Sequence, residues 1–459
     1  MNGIIVLIVY GVLMIGATLL FTKKESDTES FLVSNRKMKT LISAMSIAAT
    51  WIWAPALLTS AEKAYTNGIV GLFWFLVPNV ICLIIFIPFA KRIRSEMPQG
   101  ITLSGYMKNK YNSNGVKNVY LMQLTGLAIF STAVQLLAGG KILSAATGLP
   151  FWLMTIILAA IAYSYSQFSG LKADVLTDAI QLVFIIVAVI AFAICAFKID
   201  NGIGGLVTGL SGFTGEYGSL FSKKGLEVFL SFGLPTTVGL LSGPFGDQSF
   251  WQRAFAIKQD KIGKSFGIGA VLFAIVPLLM GSIGFVAAGM GFVPDSTGTV
   301  NMEYLTHILS GWVAVPFMFM LLSGLLSTVD SNMCSISALT TDVVKKSSLK
   351  ISKVSMILLL IAGIVIANIP GLTVTYLFLF YGTLRATTLL PTIMTLKGVR
   401  LTSKGIIAGV LTAFIIGLPI FGYANINNIA TLKTVGSLFT VLSSGVIALI
   451  VSRLGVRKV

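Results

Sequence analysis

Runs of about twenty uncharged, apolar residues recur along this chain, and that repetition constrains the fold more than any other feature. A helix of that length crosses a bilayer core of roughly 30 Å. The first run, NGIIVLIVYGVLMIGATLLFT, lacks a basic start, has a long apolar core and is followed by Lys23 and Lys24. It reads as a retained helix with its N-terminus outside, not as a cleaved leader. About thirteen spans are expected, centred near Met14, Trp53, Ile81, Leu127, Ile157, Phe184, Leu240, Phe273, Gly324, Leu359, Leu384, Ala413 and Ser443. Charged residues make up only 11% of the chain, so the fold class is all-α and polytopic, with the lipid bilayer as partner.

The net charge of +17 raises nucleic acid as a partner, but its placement argues against that. Lys and Arg gather in alternate loops, from AKRIRSEMPQGITLSGYMKNKYNSNGVK to QRAFAIKQDKIGK and the tail SRLGVRKV. That is the positive-inside pattern, and with an odd number of spans it puts the C-terminus in the cytoplasm. The loop carrying Lys198, Lys223 and Lys224 is an exception. Cys82, Cys195 and Cys334 lie in three different apolar runs with no metal-binding spacing, so buried reduced thiols are expected. His307 is placed in a loop and given no role.

Two spans are interrupted. The stretch AATWIWAPALLTS holds Pro55, and GLLSGPFGDQ holds Pro244 between Gly243 and Gly246. Proline removes a backbone hydrogen bond and clashes with the preceding turn. In a membrane the freed carbonyls need other partners, from neighbouring helices or a polar cavity. The interrupted spans are the second and the seventh of the expected series. That is the layout of two five-helix repeats of opposite orientation, in which solute and ion bind at the two breaks. The expected organisation is therefore an extra N-terminal helix (1–22), a first repeat (40–200), a second repeat (226–397) and two C-terminal helices (402–453).

Ionisable groups inside spans are costly and informative. Lys141, Asp178, Asp247, Asp330 and Arg385 are of this kind, and an internal pairing such as Asp178 with Lys141 is one reading of them. In FMLLSGLLSTVDSNMCSISALTTD, the residues Ser327, Asp330, Ser331 and Ser335 share a helical face by the i, i+3, i+4 rule. Hydroxyl and carboxylate oxygens suit a small, hard cation, although serines in membrane helices also bond back to the preceding turn.

SGLKADVLTDAIQ, FGDQSFWQRAFA and LSTVDS together resemble the sodium:solute symporter family, and the likeness runs over nearly the whole chain. LSTVDS is most like the pantothenate branch. AATWIWAPALLTS, AYTNGIVGLFW and DQSFWQR are more like the urea branch, and LFYGTLRATTLLP keeps that branch's Gly-to-Pro spacing. The resemblance implies the leucine-transporter-like fold and Na+ as coupling ion. It places the principal sodium site on Ala49, Ile52, Gly324, Ser327 and Thr328. It implies a second cation site on Asp178, Ser327, Asp330 and Ser331, with Asp330 departing from the serine such members carry. SNMCSIS stands one residue closer to Asp342 than in the family pattern. Substrate-lining positions carried over from the breaks are Thr50, Trp51, Trp53, Thr59, Ser60, Ser242, Asp247 and Gln248, joined by Gln123 or Gln135. Arg385 departs from the family pattern.

The expected function is sodium-coupled import of a small polar organic solute across the plasma membrane, by a chain working as a monomer. The alternatives are proton coupling in the same fold and a passive solute channel. A coupling-ion cage argues against the channel. A membrane enzyme is not expected, since HExxH, GxSxG with partners and paired Cys/His ligands are all missing from the sequence. A nutrient sensor is not expected either, because no soluble signalling domain follows the last span. For the solute, the urea-branch likeness points to a neutral amide, whereas Arg385 and Lys141 point to an anion.

Overall fold

The computed structural model describes residues 3–22, 27–344 and 348–456, and they are helical almost throughout. Among the described residues, ten helices are long and apolar enough to cross a membrane, and Thr40–Trp51 and Phe151–Ser166 are shorter apolar helices. The outer faces carry exposed aliphatic side chains such as Val187 (62% exposed) and Ile415 (69%), a surface only lipid would tolerate. The interior, by contrast, holds Ser, Thr, Asp and Arg side chains that are fully buried.

Helix α1 (Gly3–Phe21) lies against the bundle, with Tyr10 buried. Helix α2 (Thr40–Trp51) ends at the first break. Ile52 and Trp53 are extended there, and a short α3 (Ala54–Leu57) begins with Pro55 in its first turn. Pro55 has no N–H for the Trp51 carbonyl and its ring crowds that carbonyl, so the helix cannot run through. Pro at the start of a new helix costs nothing, because that N–H would be unpaired anyway. Helix α4 (Thr59–Glu96) joins the end of this span to the next across a bend at Asn67 and Gly68. Gly68 has φ +55°, and a side chain there would run into the Leu210 carbonyl at 2.5 Å. That close approach lets the 210–213 loop bond the bend, with Ile69 N–H on Leu210 O and Phe213 N–H on Tyr65 O.

Helices α5 (Leu103–Tyr111), α6 (Asn114–Thr147), α7 (Phe151–Ser166) and α8 (Leu171–Lys198) follow. The second break separates α9 (Leu234–Leu241) from α10 (Gln248–Ala256). Asp247 caps α10, its carboxylate accepting from the Ser249 N–H at 2.9 Å. A side chain at Gly246 would lie 2.9 Å from the Arg385 Cα, and one at Gly243 would strike the Trp51 ring. Glycine at these two positions therefore lets the second break touch both the first break and the helix bearing Arg385.

Helix α11 (Ile262–Gly289) packs along α4 and α2. Helix α12 (Val300–Leu309) carries His307, which was expected in a loop. Then come α13 (Ala314–Val343), which crosses the first break, α14 (Leu349–Ala367) and α15 (Val374–Ala386). A third interruption at Thr387 and Thr388 separates α15 from α16 (Leu389–Leu396). Helices α17 (Ser403–Thr412), α18 (Leu418–Ile426) and α19 (Ala430–Val456) complete the chain.

Candidate functional site

The first break and the middle of α13 meet at one crossing. Thr328 Oγ1 donates toward the Thr50 carbonyl at 3.4 Å and the Gly324 carbonyl of its own helix at 3.3 Å. Gly324 faces Ile52: a methyl group at Gly324 would sit 3.4 Å from the Ile52 carbonyl oxygen. The Ala49 carbonyl, one turn back, takes the Ile52 N–H at 3.0 Å. Ser327 Oγ donates to Asp178 Oδ1 at 2.5 Å. The five positions expected to hold sodium thus cluster where α2 ends against α13. They present uncharged hydroxyl and carbonyl oxygens, the donor chemistry hard cations prefer.

Beside this crossing lies a buried ionic cluster that the sequence reading missed. Arg253 of α10 is fully buried, and its Nη2 lies 2.8 Å from Asp174 and 2.9 Å from Asp178, both on α8. The same guanidinium donates to Ser46 (3.0 Å), Ser331 (2.8 Å) and the Ser249 carbonyl (3.2 Å). Asp178 also accepts from Ser46 at 2.5 Å and Thr50 at 3.4 Å, while Ser331 bonds Thr50 at 2.9 Å and Asp174 at 3.1 Å. The signal was present in the sequence. Asp174 and Asp178 are four apart in SGLKADVLTDAIQ, so they share a helical face, and QRAFA puts a guanidinium in an apolar setting.

Two expectations change here. Lys141 is exposed in the last two turns of α6, and the partner of Asp178 is Arg253. Asp330 stands apart from the other three residues of the expected second cation site. Its carboxylate accepts from Tyr165 at 2.6 Å and Ser166 at 3.1 Å, both at the end of α7. At about 100° per residue, position 330 is turned roughly 60° to one side of 327 and position 331 roughly 40° to the other. Ser331 therefore reaches Arg253 while Asp330 faces α7.

The substrate candidates divide similarly. Trp51 and Trp53 stack with ring centres 5.5 Å apart, and the Arg385 guanidinium lies over both rings and over Tyr381. Arg385 Nη2 lies 3.4 Å from Asp247 Oδ2. Gln123 donates to the Gly246 carbonyl at 2.8 Å and accepts from Thr388 at 3.0 Å, which ties α6 to the second and third breaks. Gln135 accepts the Ala54 N–H at 3.1 Å and so braces the first break. Thr50 belongs to the ionic cluster, and Thr59 is buried in the first turn of α4. Ser60 and Ser242 bond back to the carbonyls of Ala56 and Val238. Gln248 is turned away from the breaks, holding the Leu103 N–H and the Ile101 carbonyl of the loop before α5.

Broken helices meeting at mid-bundle, with an oxygen-lined crossing and an aromatic box beside it, are the arrangement found in multi-pass membrane transporters built on interrupted helices. The model of the sodium:solute symporter family matches residues 31–417, and the chain belongs to that family. It is 23% identical to the urea active transporter of Saccharomyces cerevisiae, over 82% of this chain and 56% of that protein. It is 22% identical to a urea–proton symporter of Oryza sativa subsp. japonica, over 87% of this chain and 61% of that one. Against the sodium/pantothenate symporter of Escherichia coli the identity is 24%, over 91% of each. The chain spans about half the length of the urea transporters it matches. Its fold matches that of a Na+-coupled sialic acid symporter in a substrate-bound outward-open state, with a TM-score of 0.77 at 16% identity over 98% of both chains. The fold is thus the leucine-transporter-like one the motifs implied.

Proposed function

We propose that the chain is a sodium-coupled symporter that imports a small polar organic solute across the plasma membrane by alternating access. The observation that carries this reading is the crossing of the first break and α13, where Thr328 and Gly324 lie against the carbonyls of Thr50 and Ile52. The ligands for Na+ are the carbonyls of Ala49, Ile52 and Gly324 with the hydroxyls of Ser327 and Thr328. The two breaks belong to repeats spanning 40–200 and 226–397, with the N-terminus outside and the C-terminus cytoplasmic. Sodium fixes the end of α2 to α13, and the solute completes contacts between the breaks and α15. Closing the site around both makes transport depend on both. A single chain contains every group this scheme uses.

Proton coupling is the second reading. It is favoured by two buried carboxylates, Asp174 and Asp178, on one guanidinium, with a third, Asp330, buried against α7, and by the naming of the rice relative. The test is uptake of labelled urea and short-chain carboxylates by proteoliposomes under an inward sodium gradient, an inward proton gradient, or neither. Accumulation that follows sodium and vanishes with choline supports the first reading. Accumulation driven by the proton gradient and indifferent to sodium supports the second.

A further inference from the structure

Arg385 sits in the last turn of α15 and is 2% exposed. Three aromatic rings cover its guanidinium, with Tyr381 at 4.7 Å, Trp51 at 5.2 Å and Trp53 at 5.5 Å from Cζ. Rings over a guanidinium stabilise its charge but accept little hydrogen bonding, so its N–H groups must find acceptors at the edges. Asp247 supplies one, Oδ2 to Nη2 at 3.4 Å. The other Asp247 oxygen is committed to the Ser249 N–H at 2.9 Å and the Ser249 hydroxyl at 2.7 Å. Arg385 Nε and Nη1 have no acceptor among the described residues.

The same is true of two neighbours in this box. The Trp53 indole N–H and the Tyr381 hydroxyl are both buried without a partner among the described residues, and the two rings are 5.5 Å apart. Buried donors left unmet are costly and uncommon in folded proteins. A cavity of about 10 Å³, no more than one water's room, lies between Gly239, Phe378 and Gly382 and reaches Arg385. So Arg385, Trp53 and Tyr381 form a buried cluster of unmet donors at the junction of both breaks, with one permanent positive charge among them.

We propose that this cluster recognises the carboxylate of a small organic acid, making the solute a monocarboxylate; this rests on the symporter reading above. A carboxylate offers two oxygens and about four acceptor sites, matching a guanidinium edge together with an indole and a phenol donor. A neutral amide or urea offers one oxygen to these donors, and of the unmet groups only the Tyr381 hydroxyl can also accept from its N–H groups. The single long contact to Asp247 leaves the charge of Arg385 available to an anion. The three rings flank the guanidinium and hold its plane, which fixes the orientation of the acid group.

The test uses purified full-length chain and matched pairs: acetate, lactate and hexanoate against acetamide, lactamide and hexanamide, with urea added. Binding is read by thermal stabilisation and by quenching of tryptophan fluorescence, since Trp51 and Trp53 line the box. At least one acid is expected to bind ten times or more tighter than its amide. In Arg385→Gln that acid should bind at least tenfold more weakly, with Arg385→Lys in between and stabilisation by sodium alone retained. If Arg385→Gln does not fold, the acid-to-amide ratio in the unmodified protein decides. Amides or urea binding as well as the acids, or no acid binding at all, overturns the assignment. An acid that needs Arg385 but not sodium upholds it and removes sodium coupling. Sodium-dependent uptake of a neutral solute that Arg385→Gln leaves unchanged does the reverse.

Discussion

Replacing Arg253 by methionine keeps an unbranched, apolar-stemmed side chain of similar length and removes the charge between Asp174 and Asp178. Both carboxylates then stay fully buried with only hydroxyl partners, chiefly Ser46, Ser327 and Ser331. Removing one partner from a buried ion pair costs about 3–5 kcal/mol, because the remaining charge is stranded. Here two charges are stranded, and the lost bonds to Ser46, Ser331 and the Ser249 carbonyl act in the same direction. The expected loss therefore lies at the upper end, about 5 kcal/mol. Unfolding in mixed micelles titrated with SDS measures it. The double variant Arg253→Met with Asp174→Asn should recover part of the loss, since it leaves a single uncompensated carboxylate. A single variant within about 0.5 kcal/mol of the unmodified protein, the range of an inconsequential surface change, would refute the reasoning, as would a double variant no more stable than the single one.

Other perturbations separate local roles. Ser60→Ala should change sodium response and stability little, because the Ser60 hydroxyl only bonds back to the Ala56 carbonyl; a sodium titration followed by thermal unfolding checks this. Gly246→Ala should lower stability by about 1–3 kcal/mol through overpacking, since its methyl group would meet the Arg385 backbone at 2.9 Å, and the same SDS titration measures it. At the end of α4, burial tends to raise the Glu96 carboxyl, but hydrogen bonds from Tyr106, Arg92 and Lys110 outweigh it and hold the group at about 2. A carboxylate depressed in the folded state contributes stability above its unfolded value near 4.3, and that contribution is lost as pH falls toward about 2. Glu96→Gln should therefore be less stable than the unmodified protein at neutral pH, with the gap narrowing from about pH 4.3 downward in pH-resolved thermal unfolding.

The membrane fold was legible because lipid imposes length and apolarity on every span. The two breaks were legible because Pro55 and Gly243-Pro244-Gly246 cannot continue a helix. The interruption at Thr387 and Thr388 has its marker further on, in Pro391, which has no N–H for the Thr387 carbonyl four residues back, and the sequence reading did not use it as such. Residue spacing gives a shared face but not the helix that meets it. That is why Ser327 and Ser331 were grouped with Asp330, although a turn of the wheel sends Asp330 to Tyr165 on α7. It is also why Asp178 was offered Lys141. The actual partner, Arg253, is 75 residues away in sequence and reaches Asp178 only because α10 begins inside the bundle. Arg385 was legible as a charge out of place, but not its three aromatic neighbours, two of which come from the first break and one from α15.

The central claim is that sodium binds where the first break crosses α13. The most direct measurement is equilibrium binding of ²²Na+ to the purified protein and to Thr328→Ala. Thr328 makes only long contacts of 3.3 and 3.4 Å within the protein, so its loss should leave the fold intact. A hydrogen-bonding group that meets a charge is worth about 1.5–3 kcal/mol, so removing this ligand should weaken sodium binding by about ten- to hundredfold. Saturable binding in the unmodified protein, displaced by unlabelled sodium but not by choline and weakened to that degree in Thr328→Ala, is the predicted result. No saturable binding, or binding that Thr328→Ala leaves within twofold, would contradict it.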